Sequence, residues 1–229
     1  MPGKTDIEQN DQTVQRAINA LQAGHPVCVH DFDDREGETD LIYPASGITA
    51  EAIARLRNDA GGLICVAVSD QVAKVADLPF LADIIDHPAA EMDTLAYGDR
   101  STFSIPVNHK DTFTGITDQD RALTIQELGT YAEKAVEGLT DQTEFAENFR
   151  TPGHVHVLKA APRLLSERQG HTELGIALAK AAGLSPAVVV CEMLDDETGE
   201  ALSVQDAKSY AQSHNLVFLE GSKIVQTLR

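Results

Sequence analysis

Apolar positions along the chain fall into short blocks of two kinds. Val14, Ala17, Ile18 and Leu21 recur at helical spacing and Gly24 closes the run, which predicts a helix over 13–23. Pro26-Val27-Cys28-Val29-His30 and Leu41-Ile42-Tyr43-Pro44-Ala45 are compact apolar blocks and read as strands. A helix is expected over 49–60, with Thr49 as N-cap and Gly61-Gly62 at its end. Residues 63–68 and 187–193 read as buried strands, and 103–107, 154–159 and 216–219 as further strands. Helical periods run over 122–135, 172–182 and 204–214. Residues 70–100 read as short helices and loops, 111–121 as a polar loop, and 137–153 as a polar stretch broken by Pro152.

Helices and strands are mixed throughout, with no repeat and no low-complexity linker. The expectation is one α/β (α+β) domain over 1–229, built on a mixed twisted sheet. Its strands are continuously apolar rather than alternating, so helices should cover both faces.

Charge narrows the classes of function. Lys+Arg number 18 against 36 Asp+Glu, a net of −18 with His neutral. That balance argues against coating nucleic acid or docking on an anionic membrane through a basic patch. No stretch approaches a membrane span, and the start MPGKTDIEQNDQ lacks the apolar core of a secretory signal. The three cysteines, Cys28, Cys65 and Cys191, are far apart in apolar runs and read as buried small hydrophobes in a reducing cytoplasm.

Two segments depart from the average charge. Residues 31–40, DFDDREGETD, hold six carboxylates and one Arg, a net of 1 − 6 = −5. If extended, Asp34, Glu36, Glu38 and Asp40 share one side. Such a cluster needs a cation, a cationic ligand or wide exposure. On charge alone a solvated loop is the simpler reading, and a site for a hard cation such as Mg²⁺ or Mn²⁺ is the functional one. Residues 150–172 carry Arg150, Lys159, Arg163 and Arg168 against Glu167 alone, a net of 4 − 1 = +3, with His154, His156 and His171. Arg168-Gln169-Gly170-His171-Thr172 runs into a predicted helix. Its free N–H groups, a glycine for close approach, an arginine fork and a capping Thr172 form the build of a phosphate pocket. An ordinary capped helix beside a surface arginine is the alternative. His154 and His156 share a strand face, and one can be catalytic while the other is structural.

In their order, these pieces resemble the 3,4-dihydroxy-2-butanone 4-phosphate synthase family. The resemblance rests on Asp34-Arg35-Glu36-x-Glu38-x-Asp40, on Asp111-Thr112-x-Thr114-Gly115-Ile116 with Asp120-Arg121, and on Pro152-Gly153-His154-Val155. It continues in Arg168-x-Gly170-His171-Thr172-Glu173 and Cys191-Glu192-Met193, and spans 13–225. Gly37 and Thr39 depart from a common form of the acidic motif, while its carboxylates and Arg35 are intact. The resemblance implies the single-activity form, without the GTP cyclohydrolase domain that some members carry. It implies conversion of ribulose 5-phosphate to 3,4-dihydroxy-2-butanone 4-phosphate and formate, with Mg²⁺ (or Mn²⁺), through an enediolate, dehydration and a skeletal shift. Glu36 and His171 are the implied metal ligands. Glu38, Asp40 and Glu192 would move protons or hold hydroxyls. Arg168, Gln169, Gly170 and Thr172 would seat the phosphate, with Arg35 and Thr114 as helpers. Glu36, Asp40, His171 and Glu192 would also touch substrate. His154 would transfer protons across a homodimer interface, and Cys65 would lie near the site in a packing role. The rival reading is a non-catalytic sugar-phosphate or nucleotide-binding module of related fold. It has no use for four carboxylates beside a histidine.

Overall fold

A computed structural model describes residues 4–91 and 95–229, with side chains of the first helix from residue 12 onward. Seven strands form one mixed sheet: β1 (Val27–His30), β2 (Thr39–Pro44), β3 (Cys65–Val68), β4 (Val107–His109), β5 (Phe149–Lys159), β6 (Ala187–Glu192) and β7 (Val217–Glu220). Their order is β4-β5-β3-β6-β2-β1-β7. β1 pairs parallel to β7 and β3 parallel to β5, and the other pairings are antiparallel.

Both sheet faces are buried, as the apolar runs require. Cys28, Leu41, Tyr43, Val66, Val189 and Cys191 face one core. It is closed by α2 (Ala50–Asp59), α3 (Asp70–Val75), α5 (Asp118–Glu137), α6 (Gln142–Asn148) and α8 (Val204–Ser213). The alternate residues Val27, Val29, Ile42, Cys65, Val188 and Val190 face a second core under α1 (Lys4–Gln22), α7 (His171–Ala181) and α9 (Gly221–Leu228). The short α4 (Leu81–Ile84) lies in the irregular stretch before β4. All three cysteines are free and buried. Among the described residues no helix is long and apolar enough to cross a membrane.

The expected α/β fold stands, and the differences have local causes. α1 starts at Lys4, because the polar DIEQNDQ carries helix formers without an apolar stripe to signal them. Of the expected 103–107 strand only Val107 joins β4, which runs on to His109. Pro106 has no N–H for the ladder, and Phe103 makes a lone bridge to Leu158. The polar loop is shorter than expected, since α5 begins at Asp118 behind Thr117, whose side chain accepts from the Asp120 N–H. The polar stretch 137–153 holds a helix and the start of a strand. Asp141 caps α6, whose one buried side chain is Phe145, and β5 starts at Phe149 and passes through Pro152. α9 follows β7 without a break and had no counterpart in the sequence reading.

Gly129 sits in α5 where the helix crosses the end of β2. A Cβ there would lie 2.8 Å from the Ser46 backbone nitrogen. Alanine ordinarily stabilises a helix interior over glycine. Here Gly129→Ala is expected to destabilise by about 1–3 kcal/mol through overpacking. A urea midpoint at or above that of the parent protein would show that the contact relaxes freely.

Candidate active site

The β1–β2 connection, residues 31–38, folds back over one end of the sheet. Asp31 organises it. Its buried carboxylate accepts the Glu36 N–H (3.2 Å) and the Glu38 N–H (3.1 Å), and pairs with Arg35 Nη1 at 3.0 Å. Gly37 supplies the positive φ of 68° that the turn needs. The acidic segment is therefore not extended throughout. Asp34 is exposed at the turn, while Glu36 turns inward and Glu38 and Asp40 lead into β2. Asp40 pairs with Glu192 across β2 and β6.

His171 opens α7 and meets this cluster. Its Nδ1 lies 3.2 Å from Glu36 Oε2, and its Nε2 lies 3.2 Å from the Val29 carbonyl oxygen and 3.5 Å from Asp40 Oδ1. Carbonyl and carboxylate oxygens only accept, so both ring nitrogens carry protons in this state. Burial pushes His171 down, but Asp40, Glu36 and Asp31 outweigh it and raise its pKa to about 9. Burial pushes the Glu36 carboxyl up. Hydrogen bonds from His171 and Tyr97, with the Arg35 charge, overcome that and hold it at about 2. The neighbours go the other way. Burial drives Asp40 well above the ordinary carboxyl range, and Glu192, Glu36 and Glu38 add to it against the pull of His171. Burial, Glu192 and Glu36 raise Glu38. One carboxylate thus stays ionised beside carboxyls disposed to hold a proton.

Two arginines border the cluster. Arg35 and Arg168 both reach Asp99 Oδ2, through Arg35 Nη2 at 3.0 Å and Arg168 Nε at 3.2 Å. Arg168 Nη1 also bonds the buried Glu173 (2.8 Å), whose other oxygen accepts the Ala161 N–H (2.9 Å). Gly170 makes room for them, since a Cβ there would lie 2.7 Å from each guanidinium. Gly170 is also the N-cap of α7 and brings no capping side chain, so the anticipated Thr172 cap is corrected: Thr172 lies buried in the first turn. Gln169 donates to the Leu165 carbonyl (3.2 Å) beside Arg168.

Most of the residues singled out in the sequence thus converge. Arg35, Glu36, Asp40, Arg168, His171, Thr172 and Glu192 line one cleft. Cys65 lines it too, with burial pushing its thiol up, which fits a packing role. The positive segment is more dispersed than it read. Of its four basic residues only Arg168 reaches the cleft; Arg150 bonds Thr112, Arg163 pairs with Glu167, and Lys159 packs on Phe80. His154 and Thr114 stand apart within the chain. Cys65 pairs with both Val190 and His156, which puts His154 on the face and at the end of the sheet that carry Asp40 and Glu192. It lies three strands from Asp40, ~14 Å at the usual strand spacing. Thr114 belongs to the loop after β4, held by Asp120.

Three residues escaped the sequence reading. Asp31 was only one of six acids. Tyr97, whose hydroxyl donates to Glu36 Oε1 at 2.6 Å, and Asp99 lie in the aperiodic 70–100 stretch. Asp31, Glu36 and His171 offer ligand atoms within 4.8 Å of one another. Asp40 Oδ1 is buried without a hydrogen-bond partner. A hard donor set with an unsatisfied buried oxygen beside it fits a divalent cation. Asp31 is already committed to two backbone N–H groups and Arg35, so Glu36 and His171 are the less committed donors of the three, and the Val29 carbonyl stands against the far side of the ring. Asp31→Ala is expected to lower stability by about 3 kcal/mol, because it strips a buried charge-assisted network. Hydrogen exchange should then accelerate at the Glu36 and Glu38 amides, and unchanged protection there would mean that another group holds the turn.

Comparison with known proteins places this geometry. The family model for 3,4-dihydroxy-2-butanone 4-phosphate synthase matches residues 15–227. The chain is 46% identical over 230 residues to the 3,4-dihydroxy-2-butanone 4-phosphate synthase of Methanosarcina acetivorans, covering 96% of this chain and 92% of that one. The Archaeoglobus fulgidus protein of the same name is 44% identical, with 94% and 93% covered. A riboflavin biosynthesis protein of Aquifex aeolicus is 36% identical over 93% of this chain and 48% of its own. The crystal structure of the Candida albicans synthase superposes with a TM-score of 0.76 at 31% identity, covering 94% and 97%. A synthase in complex with two magnesium ions gives 0.77 at 26% identity, covering 92% and 94%. Fold and sequence agree: the chain belongs to the 3,4-dihydroxy-2-butanone 4-phosphate synthase family, lyases of riboflavin biosynthesis.

Proposed function

We propose that the chain converts ribulose 5-phosphate to 3,4-dihydroxy-2-butanone 4-phosphate and formate. One observation carries the reading. An ionised Glu36 meets His171 beside carboxyls driven toward their protonated form, and next to them two guanidiniums converge on one anion. A sugar phosphate needs both halves, whereas a mere phosphate binder gains nothing from the buried acids.

Mg²⁺, or Mn²⁺, held by Glu36 and His171 would supply Lewis-acid stabilisation of negative charge developing on substrate oxygens. The protein supplies the rest. Asp40 presents an oxygen that makes no hydrogen bond, and Glu38 and Glu192 stand beside it to accept or return protons. Arg35 and Arg168 seat the phosphate once Asp99 is displaced, with the first turn of α7, Gly170 and Thr172 beneath it, and Gln169 flanking. His154 and Thr114 act from the partner subunit of a homodimer. Their separation from Glu36 within one chain, on an exposed strand segment and an exposed loop, supports that arrangement. Free buried cysteines and the acidic balance fit a cytoplasmic setting.

Formate release from ribulose 5-phosphate with Mg²⁺, with and without EDTA, is the direct test. Glu36→Gln should lower turnover by at least about 10³-fold, in the range lost with a key electrostatic group. Mixing Glu36→Gln with His154→Ala subunits should restore part of the activity through hybrid sites. Near-normal turnover of Glu36→Gln would remove the metal assignment, and no recovery on mixing would remove the shared site.

Holding a cation through Nδ1 would require His171 to lose its Nδ1 proton. Since that pKa is raised to about 9, the proton is present below it and absent above it. Mg²⁺ affinity should therefore rise with pH, by up to about tenfold per unit, and level off above about 9. Calorimetric titration in buffers of different ionisation enthalpy should show about one proton released per ion. An affinity flat from about pH 6.5 to 8.5 would take His171 out of the ligand set.

A further inference from the structure

His154 lies in an irregular part of the β4–β5 ladder. Val107 pairs with Val155, but the next residue, Asn108, pairs with Arg150, so 151–154 have no partner on β4. Such a bulge frees backbone groups and re-aims side chains. The chain closes tightly on it: a Cβ on Gly153 would fall 1.9 Å from the Val107 carbonyl carbon. Asn108, buried at 3% exposure, fills the gap. Its Oδ1 accepts the His154 N–H at 2.8 Å. Its Nδ2 lies 3.1 Å from the ring Nδ1, closer than Oδ1 at 3.3 Å.

The order of these contacts favours one tautomer. A backbone N–H only donates, so it must face the amide oxygen, and the NH₂ end is left for the ring. An NH₂ group only donates, so across the shorter of the two ring contacts Nδ1 presents its lone pair. The neutral imidazole then carries its proton on Nε2. The same carboxamide meets the loop of Thr114. A Cβ on Gly115 would fall 2.1 Å from Asn108 Nδ2, and Asp120 anchors that loop by accepting the N–H groups of Phe113, Thr114 and Gly115 at 3.2, 3.0 and 2.8 Å.

We infer that Asn108 is the positioning residue of His154: its carboxamide holds the imidazole in the Nε2–H tautomer and ties it to the Thr114 loop. The inference rests on the reading of His154 as a proton-transfer residue. A proton-transfer histidine works only with its proton on the correct nitrogen, and an amide does this without adding charge. It also joins His154 and Thr114, the two predicted residues that lie away from Glu36, into one preformed unit.

Ring nitrogen spectra test this directly. In long-range ¹H–¹⁵N correlation spectra of the full chain at alkaline pH, with the His154→Gln spectrum to assign the signals, His154 should show the Nε2–H tautomer. Asn108→Asp keeps size and the acceptor for the His154 N–H, but offers the ring a second acceptor. It should switch the ring to the Nδ1–H tautomer and lower kcat on the order of 10²-fold, with KM for ribulose 5-phosphate within about twofold. An Nδ1–H ring in the parent protein overturns the inference without any variant. So does an Asn108→Asp protein with unaltered tautomer or unaltered kcat while His154→Gln is inactive. Full formate release by His154→Gln would instead overturn the catalytic reading of His154 and leave the tautomer assignment standing.

Discussion

Buried negative charge is the constraint on which the rest of the structure depends. Asp31, Glu36, Asp40 and Glu173 meet at one end of the sheet, and Asp31 and Glu173 are fully enclosed there. An unpaired carboxylate in such a place costs several kcal/mol. Every cation near the cleft is spoken for accordingly. Arg35 serves Asp31, Glu36 and Asp99; Arg168 serves Glu173 and Asp99; protonated His171 serves Glu36 and Asp40. Among these carboxylates Asp40 Oδ1 is buried without a hydrogen bond, and it marks where this neutralisation is incomplete. A site assembled this way is held at its chemistry by the same contacts that hold the turn of 31–38 closed.

The fold was largely legible because its strands are buried on both faces. Val27–His30, Cys65–Val68 and Ala187–Glu192 read as apolar runs for that reason, and the helices between them showed where they stop. Legibility failed where burial falls on single residues. α6 hides its one apolar anchor, Phe145, in a polar heptapeptide. Pro152 reads as a breaker, yet it falls in the unpaired part of β5, where no N–H is required.

The site divides in the same way. Glu36 and His171 lie 135 positions apart and were found through motif order, and the folded chain puts them 3.2 Å apart. Asp31 does not stand out among its neighbours in the sequence, since its role comes from a turn that exists only in the folded chain. Tyr97 and Asp99 come from a stretch without periodicity. Asn108 was invisible for another reason: it matters only because the ladder slips between Val107 and Asn108, and no local pattern encodes a slip.

Asp99 occupies the place between Arg35 and Arg168. The two guanidiniums are consequently paired before any ligand arrives. An incoming anion exchanges with a carboxylate tethered to the same chain, whose effective concentration lies in the millimolar range or above. A monoanion with no further anchor would only exchange one ion pair for another, whereas a dianion that also engages the N–H groups of α7 would gain contacts. On the proposed phosphate-seating role of these arginines, Asp99 would make selection competitive: a resident anion sets the threshold that an incoming ligand has to pass.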